Sequence, residues 1–258
     1  MTRYLSVLVA VVGSLFGASV ALDFGHKVVN TVGLTASVSP NEVGSKPINA
    51  TYHFNVTVHG RGGTQPEGVK GFDVYVAARQ GLKRNGDKFP SPCRKSDIDG
   101  RTTIPSKCNE ALIGTGTATV TAGPAGAPSV GSKNVTLKLF TSSHGKVIFL
   151  AVNATGEHPI HNRVIVGHAK ELSGTYQVVT EFTIPERLQT VPGTLIPAVI
   201  TSTSMNFGGK MFHGTPFVEL RGCPPSEKLP SKVVYHFNDD TVRTGTTTIT
   251  CRRAGGLS

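Results

Sequence analysis

The fold is decided by a stretch in which apolar and polar side chains alternate, Tyr52-His53-Phe54-Asn55-Val56-Thr57-Val58-His59. Successive side chains of a β-strand point to opposite faces, so the even-numbered residues share one face and the odd-numbered residues share the other. The first face is apolar and the second is polar. The stretch therefore predicts a strand with one buried and one solvated face, as is common in antiparallel sheets.

Runs of the same kind recur along the chain and are separated by Gly, Pro, Asn and Asp. Short strands at this spacing are typical of all-β proteins. The further runs are residues 72–78, 114–121, 135–141, 146–152, 163–170, 175–184, 198–205, 231–237 and 241–251. The segments at 141–146 and 238–240 have the composition of turns, which predicts hairpins between the runs that flank them.

Helix is expected to be minor. The best helical candidate is a single turn at 185–189, after Pro185. The chain also has 30 Gly and 16 Pro among its 258 residues, which favours strands and turns. We therefore predict an all-β fold, a single large two-sheet antiparallel β-sandwich over residues 22–258. The Gly- and Pro-rich stretch at 122–128 leaves one alternative, two tandem small sandwiches that divide near residue 125.

The first 21 residues have the features of a secretory signal peptide. Arg3 precedes an uncharged run at 5–21 that ends in Ser19-Val20-Ala21, which predicts cleavage after Ala21. The run is shorter than the roughly 20 residues that cross a bilayer, and no later stretch approaches that length. We expect a secreted, extracellular protein with no transmembrane anchor after cleavage, either free or associated with the cell envelope.

The four cysteines would then lie in an oxidising compartment, where pairing is expected. Four cysteines allow three connectivities. We favour Cys93 with Cys108 and Cys223 with Cys251, because closing the shortest loops costs the least chain entropy. A zinc or redox site at these residues is not indicated, since the sequence has no Cys-x-x-Cys motif.

The chain is basic, with 26 Lys and Arg against 16 Asp and Glu. The excess is concentrated at residues 79–107, where eight basic residues face three acidic ones. The same segment holds the first predicted disulfide. A basic, disulfide-held loop predicts a contact surface for an anionic cell-envelope polymer or glycan, although such charge can also simply aid solubility. The predicted binding residues are Arg84, Lys88, Arg94, Lys95 and Arg101.

Nucleic acid is disfavoured as the partner. The chain has no Trp, and the basic segment offers Phe89 as its one aromatic ring for stacking on a base. Export of the protein argues against nucleic acid as well.

The sequence predicts no catalytic residue and no cofactor. A Gly-x-Ser-x-Gly motif is absent, and the acidic residues are scattered. A secreted hydrolase of cell-wall or glycan polymers is an alternative, because folding can bring distant carboxylates together. A third hypothesis is an extracellular metal-binding protein. It rests on the local group of His158, His161 and His168, whose nitrogens would suit zinc or copper.

Three stretches resemble a family of uncharacterised secreted proteins of actinobacteria. They are Pro90-Ser91-Pro92-Cys93 through Cys108 into Leu112-Ile113-Gly114-Thr115-Gly116; Phe182-Thr183-Ile184-Pro185-Glu186-Arg187-Leu188-Gln189 with the Pro-Gly that follows; and Cys223-Pro224-Pro225 closing at Cys251. With the opening at 34–40 they are spread over most of the mature chain. The resemblance implies export, a β-rich domain and the two local disulfides, and it implies no activity. We therefore expect a secreted, non-catalytic binding or envelope-associated protein.

Overall fold

The structure is a computed structural model of the chain, and it describes residues 28–76, 81–90 and 92–254. The predicted signal peptide at 1–21 and the basic residue Arg79 lie outside the described residues. Within those residues, no helix has the length and apolar character needed to cross a membrane.

The described chain is built almost entirely from strands, with one short helix, α1 (Lys95–Ile98). The strands are β1 (Asn30–Ser39), β2 (Glu42–Val43), β3 (Ile48–Asn49), β4 (Thr51–Gly60), β5 (Val69–Val76), β6 (Leu82–Arg84), β7 (Leu112–Ala122), β8 (Gly131–Ser142), β9 (Val147–Ala154), β10 (Ile160–Glu171), β11 (Val178–Thr183), β12 (Ala198–Gly208), β13 (Met211–Phe212), β14 (Thr215–Pro216), β15 (Val218–Leu220), β16 (Lys228–Phe237), β17 (Val242–Thr250) and β18 (Arg252–Arg253). Single 3₁₀ turns lie at Arg61–Gly63, Gly86–Lys88, Ser106–Asn109, Ser143–Gly145 and Glu186–Leu188.

Eleven strands form one continuous antiparallel sheet in the order β1-β4-β12-β7-β8-β9-β10-β11-β5-β16-β17. Its two edge strands, β1 and β17, pack against each other, so the twisted sheet curls back on itself. Their approach is close at Gly245, where a Cβ would lie 3.1 Å from Cγ1 of Val32 and 3.2 Å from Cβ of Leu34. Strands that precede residue 125 are interleaved in this order with strands that follow it. One sheet therefore includes strands from both of the tandem sandwiches considered above.

The predicted all-β class, the antiparallel pairing, the small helical content and the two local disulfides are confirmed. The facing layers expected of a sandwich arise within the one curled sheet. The two predicted hairpins are also present: Ser143–Gly145 joins β8 to β9, and residues 238–241 join β16 to β17. The remaining strands form three smaller sheets, β3-β15-β6, β13-β14 and the parallel pair β18-β2.

The main core fills the inside of the curled sheet. At one point the hydroxyl of Tyr52 on β4 hydrogen-bonds the hydroxyl of Ser231 on β16, which joins strands near opposite ends of the sheet order. The ring of Tyr52 packs 4.8 Å, centroid to centroid, from that of Phe207. Burial raises the pKa of Tyr52 to about 12, because the phenolate would lose its hydration.

A second, smaller core lies on the outside of the sheet, since β9 is buried on both faces. Its inward side chains Ile148 and Leu150 belong to the main core, whereas Phe149 and Ala151 point outward. The outward side chains are covered by residues 92–111, which we call the stapled loop. This outer core consists of Cys93, Ile98, Cys108, Ala111, Phe140, Phe149, Ala151 and Val164.

Candidate functional site

The stapled loop is fixed by its own disulfide and by hydrogen bonds to β10. The bridge joins Cys93 and Cys108 with their Cα atoms 4.8 Å apart. The N–H of Gly100 donates to the carbonyl of Asn162 at 3.4 Å, and the Asn162 amide donates to the carbonyl of Arg101 at 2.7 Å. The loop therefore has a defined position over the outer face of the sheet.

Asp97 organises the loop from within. Its carboxylate accepts the backbone N–H of Arg94 at 2.8 Å and lies 2.9 Å from the Lys107 ammonium. These contacts, the backbone hydrogen bond first, hold the pKa of Asp97 below its usual range. The charge of Lys107 is consequently balanced inside the loop.

The loop carries a wide, open depression of about 740 Å³, which we call the basic depression. Three of the predicted binding residues, Arg94, Lys95 and Arg101, line it, together with Asp99 and Gly100. All three cationic side chains are exposed. The structure thus brings together three cations that lie up to seven positions apart in the sequence.

Two further arginines reach the same depression from other parts of the chain. Arg187, in the turn after β11, donates to Asp99 Oδ2 at 2.6 Å. Arg163 on β10 lies 3.9 Å from Asp99 Oδ1, and the N–H of Val164 donates to that oxygen at 3.2 Å. The one carboxylate in the lining, Asp99, is therefore paired with two arginines that come from outside the stapled loop.

The other two predicted binding residues lie elsewhere. Lys88 is exposed, pairs with Asp87 at 3.5 Å and is not part of the depression's lining. Arg84 on β6 points into the protein, donates to the carbonyl of Gly145 at 2.9 Å and lines a small interior cavity. Burial lowers the pKa of Arg84, because its charged guanidinium is taken partly out of water.

Sequence reasoning missed Arg163 and Arg187 because neither lies in the basic segment. They approach the stapled loop only through strand pairing and the path of the chain after β11. Arg187 does lie within one of the stretches that carries the family resemblance, at 182–189, but nothing local indicates that it pairs with Asp99.

The three histidines of the metal hypothesis are separated. His161 and His168 both lie on β10, and their seven-residue separation corresponds to about 20 Å along a strand. His158 precedes β10, and its Nε2 lies 4.0 Å from Oε1 of Glu157. One ion would not reach both β10 histidines, so the geometry offers no three-histidine centre.

Another group of possible metal ligands emerges from the described part of the chain, formed by Cys93, Asp97 and Cys108, whose ligand atoms lie within 4.8 Å of one another. Both sulfurs are bonded to each other, so they are not thiolate ligands.

The hydrolase hypothesis stays a prediction. In each of four cavities of the described structure, at most one carboxylate is part of the lining, Glu157 in one and Asp99 in another. Paired-carboxylate glycoside hydrolysis needs two such groups facing one bond. In the basic depression, both oxygens of Asp99 already accept hydrogen bonds.

Comparison of the chain with models of known protein families and with curated proteins found no match.

Proposed function

We propose that the protein is an exported, non-catalytic binding protein that holds an anionic cell-envelope polymer or glycan in its basic depression. The observation that carries the proposal is that a loop with a fixed position exposes Arg94, Lys95 and Arg101 around one depression. The carboxylate in its lining, Asp99, is already paired with Arg163 and Arg187. Clustered charges of one sign in a concave surface concentrate ions of the opposite sign.

The shape of the depression favours a polymer. It is open, and its three outer cations, Arg94, Lys95 and Arg101, are exposed. An extended polyanion can pass along such a surface and meet several cations at once. Binding of this kind weakens as salt rises, because mobile ions screen exposed charges.

The state of Asp99 favours binding over hydrolysis. The side chain is only 16% exposed, and its oxygens are engaged by Arg187 and the Val164 N–H. A carboxylate that positions two arginines in this way is poorly placed to serve as a general base. The two disulfides support export, since such bonds persist in oxidising compartments.

The test is retention of the mature, oxidised protein on isolated cell envelope and on dextran sulfate, each titrated over salt. The variant Arg94→Gln/Lys95→Gln/Arg101→Gln removes three charges from the depression. Its control, Lys46→Gln/Lys228→Gln/Arg252→Gln, removes three exposed charges elsewhere.

The depression variant is expected to bind about tenfold more weakly or worse at low salt and to show a shallower salt dependence. The control variant should remain close to wild type. Equal losses in the two variants would show that net charge alone governs retention and would overturn the assigned surface. Release of polymer fragments would instead favour the hydrolase.

A further inference from the structure

A second concave site lies at one end of the curled sheet, away from the basic depression. It has a volume of about 550 Å³, within the range of small-molecule binding pockets. Its walls are the inward faces of several neighbouring strands, with Val120 from β7, Val135 from β8, Val152 from β9, Ile165 from β10 and Val199 from β12. We call it the end cavity.

The chemistry of the wall is aliphatic. Among the described residues that line the end cavity there is no Phe, Tyr or Trp, and the apolar ones are Val, Ile, Leu, Ala and Pro. The one planar ring among these described lining residues is the imidazole of His158, whereas a flexible alkyl chain gains from burial against the many branched aliphatic side chains.

A smaller interior cavity lies beside the end cavity. Val69, Ile184 and Ile200 line both the end cavity and this smaller one, which has a volume of about 80 Å³. The two spaces are thus adjacent along the inside of the sheet. The inner end of the cavity is thus also lined by aliphatic side chains, which suits an alkyl chain.

The mouth of the end cavity carries a cation. The ammonium of Lys133 donates to the backbone carbonyls of Glu157 and, at 3.1 Å, His158. A lysine has three N–H donors. The contacts of Lys133 with the described residues use two of them, which leaves the third for a ligand. Lys133 therefore offers a positive charge, tethered in place, next to an apolar interior. The carboxylate of Glu157 also lines the cavity, but its side chain is 92% exposed and can turn toward solvent.

Exposed apolar side chains lie at the cavity and in the turn next to it. Val130 lines the cavity and is 69% exposed, while Leu195 and Ile196 are 94% and 42% exposed. Leu195 and Ile196 belong to a turn that is closed by a hydrogen bond from the Val191 N–H to the Ile196 carbonyl, and Val191 also lines the cavity. Such a rim can cover the part of an alkyl chain that emerges from the cavity.

We propose that the end cavity binds a fatty acid, with its alkyl chain among the aliphatic wall residues and its carboxylate at Lys133. This site goes beyond the polymer-binding function, because it uses different residues and a different driving force. Apolar burial supplies the affinity, and the ion pair at Lys133 orients the ligand.

The test is isothermal titration calorimetry with dodecanoate and with dodecanol, which share an alkyl chain and differ in charge, both below the concentrations at which they aggregate. The variant Ala122→Phe places a ring in the cavity, and its control Ala125→Phe makes the same change at an exposed position outside the lining. Lys133→Met removes the cation and keeps an unbranched stem.

Wild type and Ala125→Phe are expected to bind both ligands, and Ala122→Phe to lose both. Lys133→Met should weaken dodecanoate about three- to tenfold and leave dodecanol nearly unchanged. If Ala122→Phe fails to fold, Val130→Glu serves in its place, since an added negative charge at the exposed rim should weaken dodecanoate selectively.

The proposal is overturned if wild type binds neither ligand, or if Ala122→Phe folds and binds both as wild type does. It is also overturned if Lys133→Met and Val130→Glu leave the preference between the two ligands unchanged. None of these outcomes depends on the basic depression, so the two proposals can fail separately.

Discussion

The two faces of β8, β9 and β10 belong to different cores. Their inward side chains form part of the main core, which joins strands all around the curled sheet. Their buried outward side chains pack against the stapled loop in the outer core. The difference suggests how a binding surface can be carried without being part of the fold: the basic depression lies on a separately cored loop, whereas the end cavity is made from the main core itself.

The sharpest test of this comparison uses two residues of β8 that are each 2% exposed, Leu137 inside and Phe140 outside. Leu137→Ala should lower the global free energy of unfolding by roughly 2–5 kcal/mol, because it leaves a cavity in the main core. Phe140→Ala removes a ring from the outer core and should act mainly by releasing the stapled loop.

Denaturant unfolding measures the first effect, and hydrogen exchange resolved to residues 92–111 measures the second. Phe140→Ala is expected to reduce exchange protection in the loop far more than in β12 or β16. Uniform loss of protection across the protein would show that the two cores form one cooperative unit and would break the comparison.

Acid should destabilise the stapled loop, and alkali should destabilise the main core. The pKa of Tyr52 rises from 10.0 to about 12 on folding, so the stability it contributes is complete below pH 10 and is lost as pH rises from there through about 12. The pKa of Asp97 is lowered from 3.8, so its contribution to the loop is present above that value and is lost as pH falls through the lower folded pKa.

The alkaline limb is measured by the melting temperature between about pH 9 and pH 11.5, where Tyr52→Phe should lessen the decline without abolishing it, because burial also raises the pKa of Tyr235. The acid limb is measured by hydrogen-exchange protection of residues 92–111. This protection should fall between about pH 5 and pH 3 in wild type, and Asp97→Asn should remove that fall. An unchanged alkaline decline in Tyr52→Phe would remove Tyr52 as its source.

The smallest expected effect concerns Asp99, which joins the loop to Arg163 and Arg187. Asp99→Asn should change the unfolding free energy by only about 1 kcal/mol or less, because both arginines are nearly half exposed. Dextran sulfate should bind a few-fold more tightly, since the depression loses its one negative charge.

The matched control is Asp87→Asn, which makes the same charge change at the exposed pair with Lys88, outside the depression. Equal gains in affinity from Asp99→Asn and Asp87→Asn would indicate a general charge effect and would count against the depression.

The strands and the nearest-neighbour disulfides could be predicted from the sequence because their causes are local. Alternation in residues 52–59 reports which face of β4 is buried, and short loops favour Cys93 with Cys108. β1 is not among the predicted runs, although its residues 32–39 also alternate between apolar positions and polar or Gly positions. The strand order and the curl depend on long-range pairing, which alternation alone does not encode.

The outer core could have been inferred in part. The run at Val147–Ala154 is apolar almost without interruption, which is typical of a strand buried on both faces. What covers its outward face was not evident, since Ile98 lies in a charged segment that predicts solvent exposure. The pairing of Asp99 in the basic depression was not evident either, because Arg163 on β10 and Arg187 in the turn after β11 are distant from it in the sequence.

The contact between β1 and β17 at Gly245 has a consequence for the protein in a crowded solution. The free edge of a sheet exposes backbone donors and acceptors that can recruit a strand from another molecule and begin aggregation. Here each edge strand shields the other, and the shielding relies on a residue with no side chain. A side chain at this position would press on Val32 and Leu34, so glycine lets the two edges cover each other closely and keeps both from strands of other molecules.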